Sequence, residues 1–215
     1  MKRKLILCLP GNEFDGQIMV QTIQFINWCA ANDWDVILSV KGGSNVSFVR
    51  ELCLGIKEEE AMNIAQQVPF NGRFPYDYIL WVDSDIAFTT ADFQRLVDDD
   101  KDIVAGVYKK NAKYYTSADK TDENLNFMAH TDGDIKDKTE LIDGICFGFG
   151  FVLIKQGVFE KISRPWFLTS TYDYKGTTKV VGEDVYFCLK AQDAGFKTWI
   201  DPRVKLVHVK KSGLQ

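Results

Sequence analysis

Two carboxylates with a single residue between them, Asp83 and Asp85, close the apolar run Tyr78-Ile79-Leu80-Trp81-Val82. A run of that composition suits a strand buried on both faces. Side chains alternate along a strand, so residues two apart share a face. If the extended backbone continues to Asp85, the two anions lie side by side where the sheet opens to solvent. Such a pair repels itself, and a bound divalent cation removes the conflict because hard metals take carboxylate oxygens. Ligands of open α/β sheets also gather at the carboxyl ends of strands. The competing explanation is an Asx-turn capping a helix that starts near Thr90. Four further Asp-x-Asp pairs, Asp33/Asp35, Asp98/Asp100, Asp100/Asp102 and Asp132/Asp134, lie in polar surroundings and read as solvated turns and helix ends.

Other residues of chemical interest each carry a plain structural explanation beside the functional one. Gly182-Glu183-Asp184 precedes an apolar-periodic helix, where carboxylates favour the positive end of the dipole or serve as a general base. His208 shares strand parity with Val204 and Leu206 and by itself reads as a core or edge histidine. Gly144, Gly148 and Gly150 interrupt the apolar segment 141–155, marking either a sharply bent strand or close approach of a backbone or ligand. Trp166, after Arg164-Pro165, is placed to stack on a sugar or to fill the core.

The elements that must position these groups alternate. Strands are expected at Lys4–Leu9, Val36–Val40, the run before Asp83, and Ile103–Val107. Helices are expected at Gln17–Ala31, from Ser44 or Asn45 to about Leu54, at Lys57–Gln67 and at Ala91–Asp98. The face Met19, Ile23, Ile26, Ala30 makes the first helix amphipathic. This order implies a three-layer α/β fold with a mostly parallel central sheet. Residues 109–140 are polar and weakly periodic and read as an irregular or mobile segment, or a strand pair over the site. Afterwards come a short helix at Val158–Ile162, the helix Val185–Ala194, and strands Lys197–Ile200 and Val204–Val209 split by an Asp201-Pro202-Arg203 turn.

With 215 residues and 46% hydrophobic content, the chain has enough apolar material for one full core. A net charge of −4 argues against binding nucleic acid through a basic surface. No apolar run approaches the roughly 20 residues of a membrane span. Five cysteines, an odd number without a Cys-x-x-Cys pair, read as reduced buried thiols of a cytoplasmic protein.

Several motifs in this order resemble the GT-A glycosyltransferases. They are Pro10-Gly11-Asn12 after the first strand, the 44–50 segment, Asp83-Ser84-Asp85, the glycine-rich 148–154 segment, Pro165-Trp166-Phe167, Gly182-Glu183-Asp184 and the late His208. The likeness is greatest to the small capsid-glycan glycosyltransferase domains of large algal, chlorella-type viruses, which implies a cytoplasmic location, the host cytoplasm for a viral protein. The resemblance implies a single GT-A domain over 1–215, with a nucleotide-binding half at 1–108 and an acceptor and catalytic half at 109–215, plus a small antiparallel strand pair. It implies a hexosyltransferase moving a sugar from a nucleoside-diphosphate donor, UDP-linked for preference, to a hydroxyl of a glycan or glycoprotein. It assigns Mn²⁺ or Mg²⁺ to Asp83, Asp85 and His208, and base catalysis to Asp184 with Glu183 beside it. It assigns nucleotide contacts to Pro10, Gly11, Asn12, Asn45, Arg50, Asp83, Ser84, Lys210 and Lys211, and sugar contacts to Gly148, Phe149 and Trp166. Two alternatives stand beside it: a sugar-nucleotide nucleotidyltransferase, and a non-catalytic nucleotide- or carbohydrate-binding module, one part of a longer polypeptide.

Overall fold

A computed structural model describes residues 2–57 and 65–209. The helix expected at Lys57–Gln67 therefore lies largely outside the described residues, as do Lys210 and Lys211. Among the described residues the main sheet has seven strands: β1 (Arg3–Pro10), β2 (Trp34–Lys41), β3 (Tyr78–Val82), β5 (Ile103–Val107), β8 (Ile142–Gly144), β10 (Phe151–Lys155) and β13 (Thr198–Lys205). Their spatial order is β2-β1-β3-β10-β5-β13-β8. β2, β1, β3, β5 and β13 run in one direction, while β10 and β8 are antiparallel to their neighbours. The sheet thus takes strands from both halves of the chain.

Three layers follow from strand alternation. Ile6, Cys8, Ile79, Trp81 and Val152 face one core, shared with the helices α2 (Val46–Cys53), α5 (Val158–Lys161) and α6 (Glu183–Asp193). Leu5, Leu7, Leu80, Val82 and Leu153 face the other, covered by α1 (Gly16–Ala31) and α3 (Thr90–Asp98). Both faces are buried, which is why β3, β5 and residues 5–9 of β1 are written as apolar runs. The buried face of α1 is Ile18, Thr22, Phe25 and Cys29, one position from the expected stripe, and Met19 and Ile23 are exposed. The Thr22 hydroxyl donates to the Ile18 carbonyl at 2.8 Å, so this polar side chain enters the core satisfied.

Residues 109–140 are ordered into β6 (Ser117–Thr121), β7 (Phe127–Ala129) and the short helix α4 (Asp132–Ile135). β6 and β7 pair, and β9 (Cys146–Phe147) extends them into a three-stranded sheet. A separate hairpin, β11 (Ser170–Tyr174) with β12 (Thr177–Val181), carries too little apolar alternation to be read beforehand. The Asp201-Pro202-Arg203 turn is instead a bulge inside β13, where the register against β5 shifts between Asp201 and Lys205. Asp201 is buried and accepts from the Arg203 N–H at 2.8 Å and Nε at 2.7 Å, which satisfies it within the strand. All five cysteines are free and buried, and no helix among the described residues is long and apolar enough to cross a membrane.

Candidate functional site

The extended backbone does not persist through Asp85. The Ile86 N–H donates to the Asp83 carbonyl at 3.1 Å, closing a tight turn over 83–86. The two carboxylates take different partners, although both line the same two cavities. The helix α3 is capped by Thr89 with Asp92 in a capping box, so the aspartates are not its cap.

Asp83 faces inward to Arg50. The guanidinium donates through Nη1 and Nη2 to its two oxygens at 3.1 and 3.3 Å, a bidentate pair. Arg50 is buried, lies over the rings of Phe149 and Trp81, and reaches Glu183 through Nε at 3.5 Å. Burial opposes the charge of Arg50, but Asp83 and then Glu183 outweigh it and hold its pKa raised. Burial raises the pKa of Asp83, and Arg50 only partly offsets this.

Asp85 faces the other way. Its Oδ2 lies 2.8 Å from Nε2 of His208, and both side chains are partly open to solvent. Two short strands bring them together: β14 (Val207–His208) pairs with β4 (Ile86–Ala87), setting His208 opposite Ile86. The Tyr108 ring meets His208 edge-on, 5.9 Å between centroids.

Two cavities meet at this turn. A cavity of about 270 Å³ is lined by Pro10, Gly11, Asn12, Ser44, Val46 and Val49 together with Asp83, Ser84 and Asp85. Gly11 is required here, because its φ is 154° and a Cβ would strike Ser84 at 2.6 Å. A larger cavity of about 500 Å³ lies on the other side, bounded by Asp83, Asp85, His208, Tyr108, Lys110, Asp184 and the sheet formed by β6, β7 and β9. Asp184, in the first turn of α6, accepts from the Val185 N–H at 2.7 Å. Burial, then the neighbouring charge of Glu183, push its pKa up to about 6.

The remaining expected residues divide. Asn45 caps α2, its Oδ1 accepting from the Phe48 N–H at 3.2 Å, while its neighbours Ser44 and Val46 line the smaller cavity. Glu183 is turned towards Arg50 and lines neither cavity. Phe149 and Trp166, expected to meet sugar, are 1% and 0% exposed and have no face to offer it. Phe149 packs edge-on against Trp81, Phe167 and Phe187. The Trp166 Nε1 donates to the carbonyls of Phe159 and Ile162. Gly148 is buried too. A Cβ there would meet the Tyr108 hydroxyl at 2.4 Å, and one on Gly150 would meet the same ring at 2.6 Å. These two glycines make room for a tyrosine, and Gly144 makes room for Ile200.

Two features had no signal in the sequence. Tyr108 closes the cavity floor, its hydroxyl accepting from the Gly150 N–H at 3.0 Å. Glu51, buried beside Arg50, accepts from the N–H groups of Trp166 (2.6 Å) and Phe167 (3.1 Å) and from Arg164 Nε (2.5 Å), fixing the 164–167 segment. Both arise from contacts between residues at least 40 positions apart.

The donor chemistry at Asp85 and His208 suits a cation of the Mn²⁺ type. One carboxylate oxygen, from Asp85 on both cavities, and one imidazole nitrogen, from His208 on the larger, converge here, and Mn²⁺ accepts mixed oxygen and nitrogen ligands. Among the described residues no group of three His, Cys, Asp or Glu side chains is gathered for a metal, since Asp83 is turned to Arg50. A cation here would complete its shell with ligand oxygens, as Mg²⁺ commonly does with phosphates.

No family model and no curated protein matches the chain. Solved structures do. A197 from STIV is similar over 99% of this chain and 97% of its own, with TM-score 0.54 and 20% identity. GalNAc-T7, solved with UDP, GalNAc and Mn²⁺, is similar over 97% of this chain, with TM-score 0.57 and 12% identity. This chain spans 44% of GalNAc-T7. At these identities the likeness defines the fold, which is the GT-A type of three-layer α/β architecture.

Proposed function

We propose that the chain is a cation-dependent glycosyltransferase taking its sugar from a nucleoside-diphosphate donor. The observation that carries this reading is the meeting of the two cavities at Asp83-Ser84-Asp85, with Asp184 facing the larger one. A UDP donor and Mn²⁺ are favoured because the similarly folded GalNAc-T7 was solved with both. In this reading the nucleoside lies along Pro10-Gly11-Asn12 and Ser44, and the sugar points towards Asp184. The acceptor is a hydroxyl of a glycan or glycoprotein.

Asp85 and His208 would hold the cation, which when bound stabilises the negative charge gathering on the departing diphosphate. Asp83 does not share in that grip; Arg50 holds it and thereby fixes the turn that aims Asp85. In the transfer step the acceptor oxygen forms a bond to the anomeric carbon and the bond from that carbon to the diphosphate breaks. The electron pair leaves with the nucleoside diphosphate, and the acceptor proton passes to Asp184. A carboxyl with a pKa of about 6 is mostly ionised at neutral pH and still basic enough to take that proton.

The test is a thermal-shift screen of UDP, GDP and dTDP with and without Mn²⁺, followed by transfer assays. Stabilisation by one diphosphate only with the cation present supports the reading. Asp184→Asn should keep that stabilisation and lose about 10²–10⁴-fold in transfer. Equal loss of binding and transfer would assign Asp184 to structure.

A further inference from the structure

The wall of the larger cavity that faces the carboxylates directs much of its hydrogen bonding inward, to the protein itself. Its backbone is spent within the sheet: the N–H groups of Ile145, Gly148 and His130 donate to the carbonyls of Ala118 (2.8 Å), Thr116 (2.7 Å) and Ser117 (2.8 Å). Its three hydroxyls bond within the protein, that of Thr116 donating to the Tyr108 carbonyl at 3.4 Å. Ser117 Oγ lies 2.9 Å from His130 Nδ1, and the Tyr115 hydroxyl donates to Asp132 at 3.0 Å. Most of what the wall presents is carbon and sulfur, from Ala118, Phe127, Ala129 and Cys146. The Cys146 thiol belongs with them, since burial raises its pKa to about 12 and keeps it neutral.

A sugar hydroxyl set against these carbon and sulfur atoms loses its water and finds few partners in exchange. A methyl group in the same place buries apolar surface instead. We propose, resting on the glycosyltransferase reading above, that the transferred sugar carries a methyl on the edge meeting this wall. Its source is either the acetamido group of an N-acetylhexosamine or C6 of a 6-deoxyhexose. Asp184 and Lys110, on other sides of the cavity, serve the polar edges of the sugar.

The experiment measures binding of matched donor pairs by calorimetry with Mn²⁺, on whichever of UDP, GDP or dTDP binds in the screen. One pair is glucose against N-acetylglucosamine, the other galactose against 6-deoxygalactose, and the pair that responds identifies the source of the methyl. The methyl-bearing member should bind about 10–200-fold more tightly. Ala129→Ser places a hydroxyl on an exposed part of the wall, where folding is undisturbed, and should reduce that ratio at least several-fold. Ala118→Ser repeats the test deeper in the wall. Equal binding within both pairs, with the free diphosphate still bound, overturns this inference and leaves the nucleotide reading intact. Failure of all three diphosphates to bind overturns both.

Discussion

Asp83 and Asp85 are separated by one serine and live in different surroundings. Asp83 is about a quarter exposed and is gripped by a buried guanidinium, which is itself shared with Glu183. Asp85 is about half exposed and paired with an imidazole that is itself partly open, at the point where two cavities join. The turn between them gives one carboxylate an arginine partner and the other a histidine, while both border the same two cavities. A motif with two like residues therefore need not use them alike, and spacing alone did not reveal which was which.

The sharpest way to break this comparison is to remove Asp83. Asp83→Ala leaves the Arg50 charge buried with only the longer contact to Glu183, and such a loss costs about 3–5 kcal/mol in stability. Urea denaturation should show this as a lower midpoint with an unchanged slope. A change below about 1 kcal/mol would mean that Asp83 is as free as Asp85.

Asp184 is an intermediate case, partly exposed like Asp83 but without a direct bond to Arg50. Its folded pKa of about 6 lies above that of an unfolded aspartate, so the folded state binds the proton more tightly. Stability from this group is therefore full below about pH 4 and is lost as pH rises through about 6. Asp184→Asn should accordingly be more stable than wild type at pH 8, by up to about 3 kcal/mol, with the difference vanishing near pH 4. Melting curves across that range check the sign, and a variant less stable at pH 8 would contradict it.

The smallest change in stability belongs to Asp85. Asp85→Ala breaks a partly exposed pair and should shift stability by no more than about 1 kcal/mol. A loss as large as that of Asp83→Ala, measured in the same denaturation series, would erase the contrast.

The fold was readable because burial on both faces leaves long apolar runs. Ile103–Val107 was delimited residue for residue, and β1, β2 and β3 within one or two positions. Reading failed where one polar residue was satisfied locally. Thr22 bonds back to its own helix and shifted the buried face of α1, and Asp201 bonds to Arg203 inside a strand that looked broken. At the site, the convergence of Asp85 with His208 came from the family resemblance, since parity alone made His208 a core histidine. The Arg50–Asp83 pair and the Tyr108 wedge against Gly148 and Gly150 depend on tertiary packing that no local pattern encodes. Phe149 and Trp166 were misassigned to sugar because an aromatic beside a glycine or a proline looks the same in sequence whether it faces solvent or core.

The most direct test is calorimetric titration of the preferred nucleoside diphosphate into wild type and His208→Ala, each with and without Mn²⁺. Wild-type affinity should rise at least tenfold with the cation, while His208→Ala binds equally in both conditions. Cation-enhanced binding that survives the loss of His208 would contradict a cation held between Asp85 and His208.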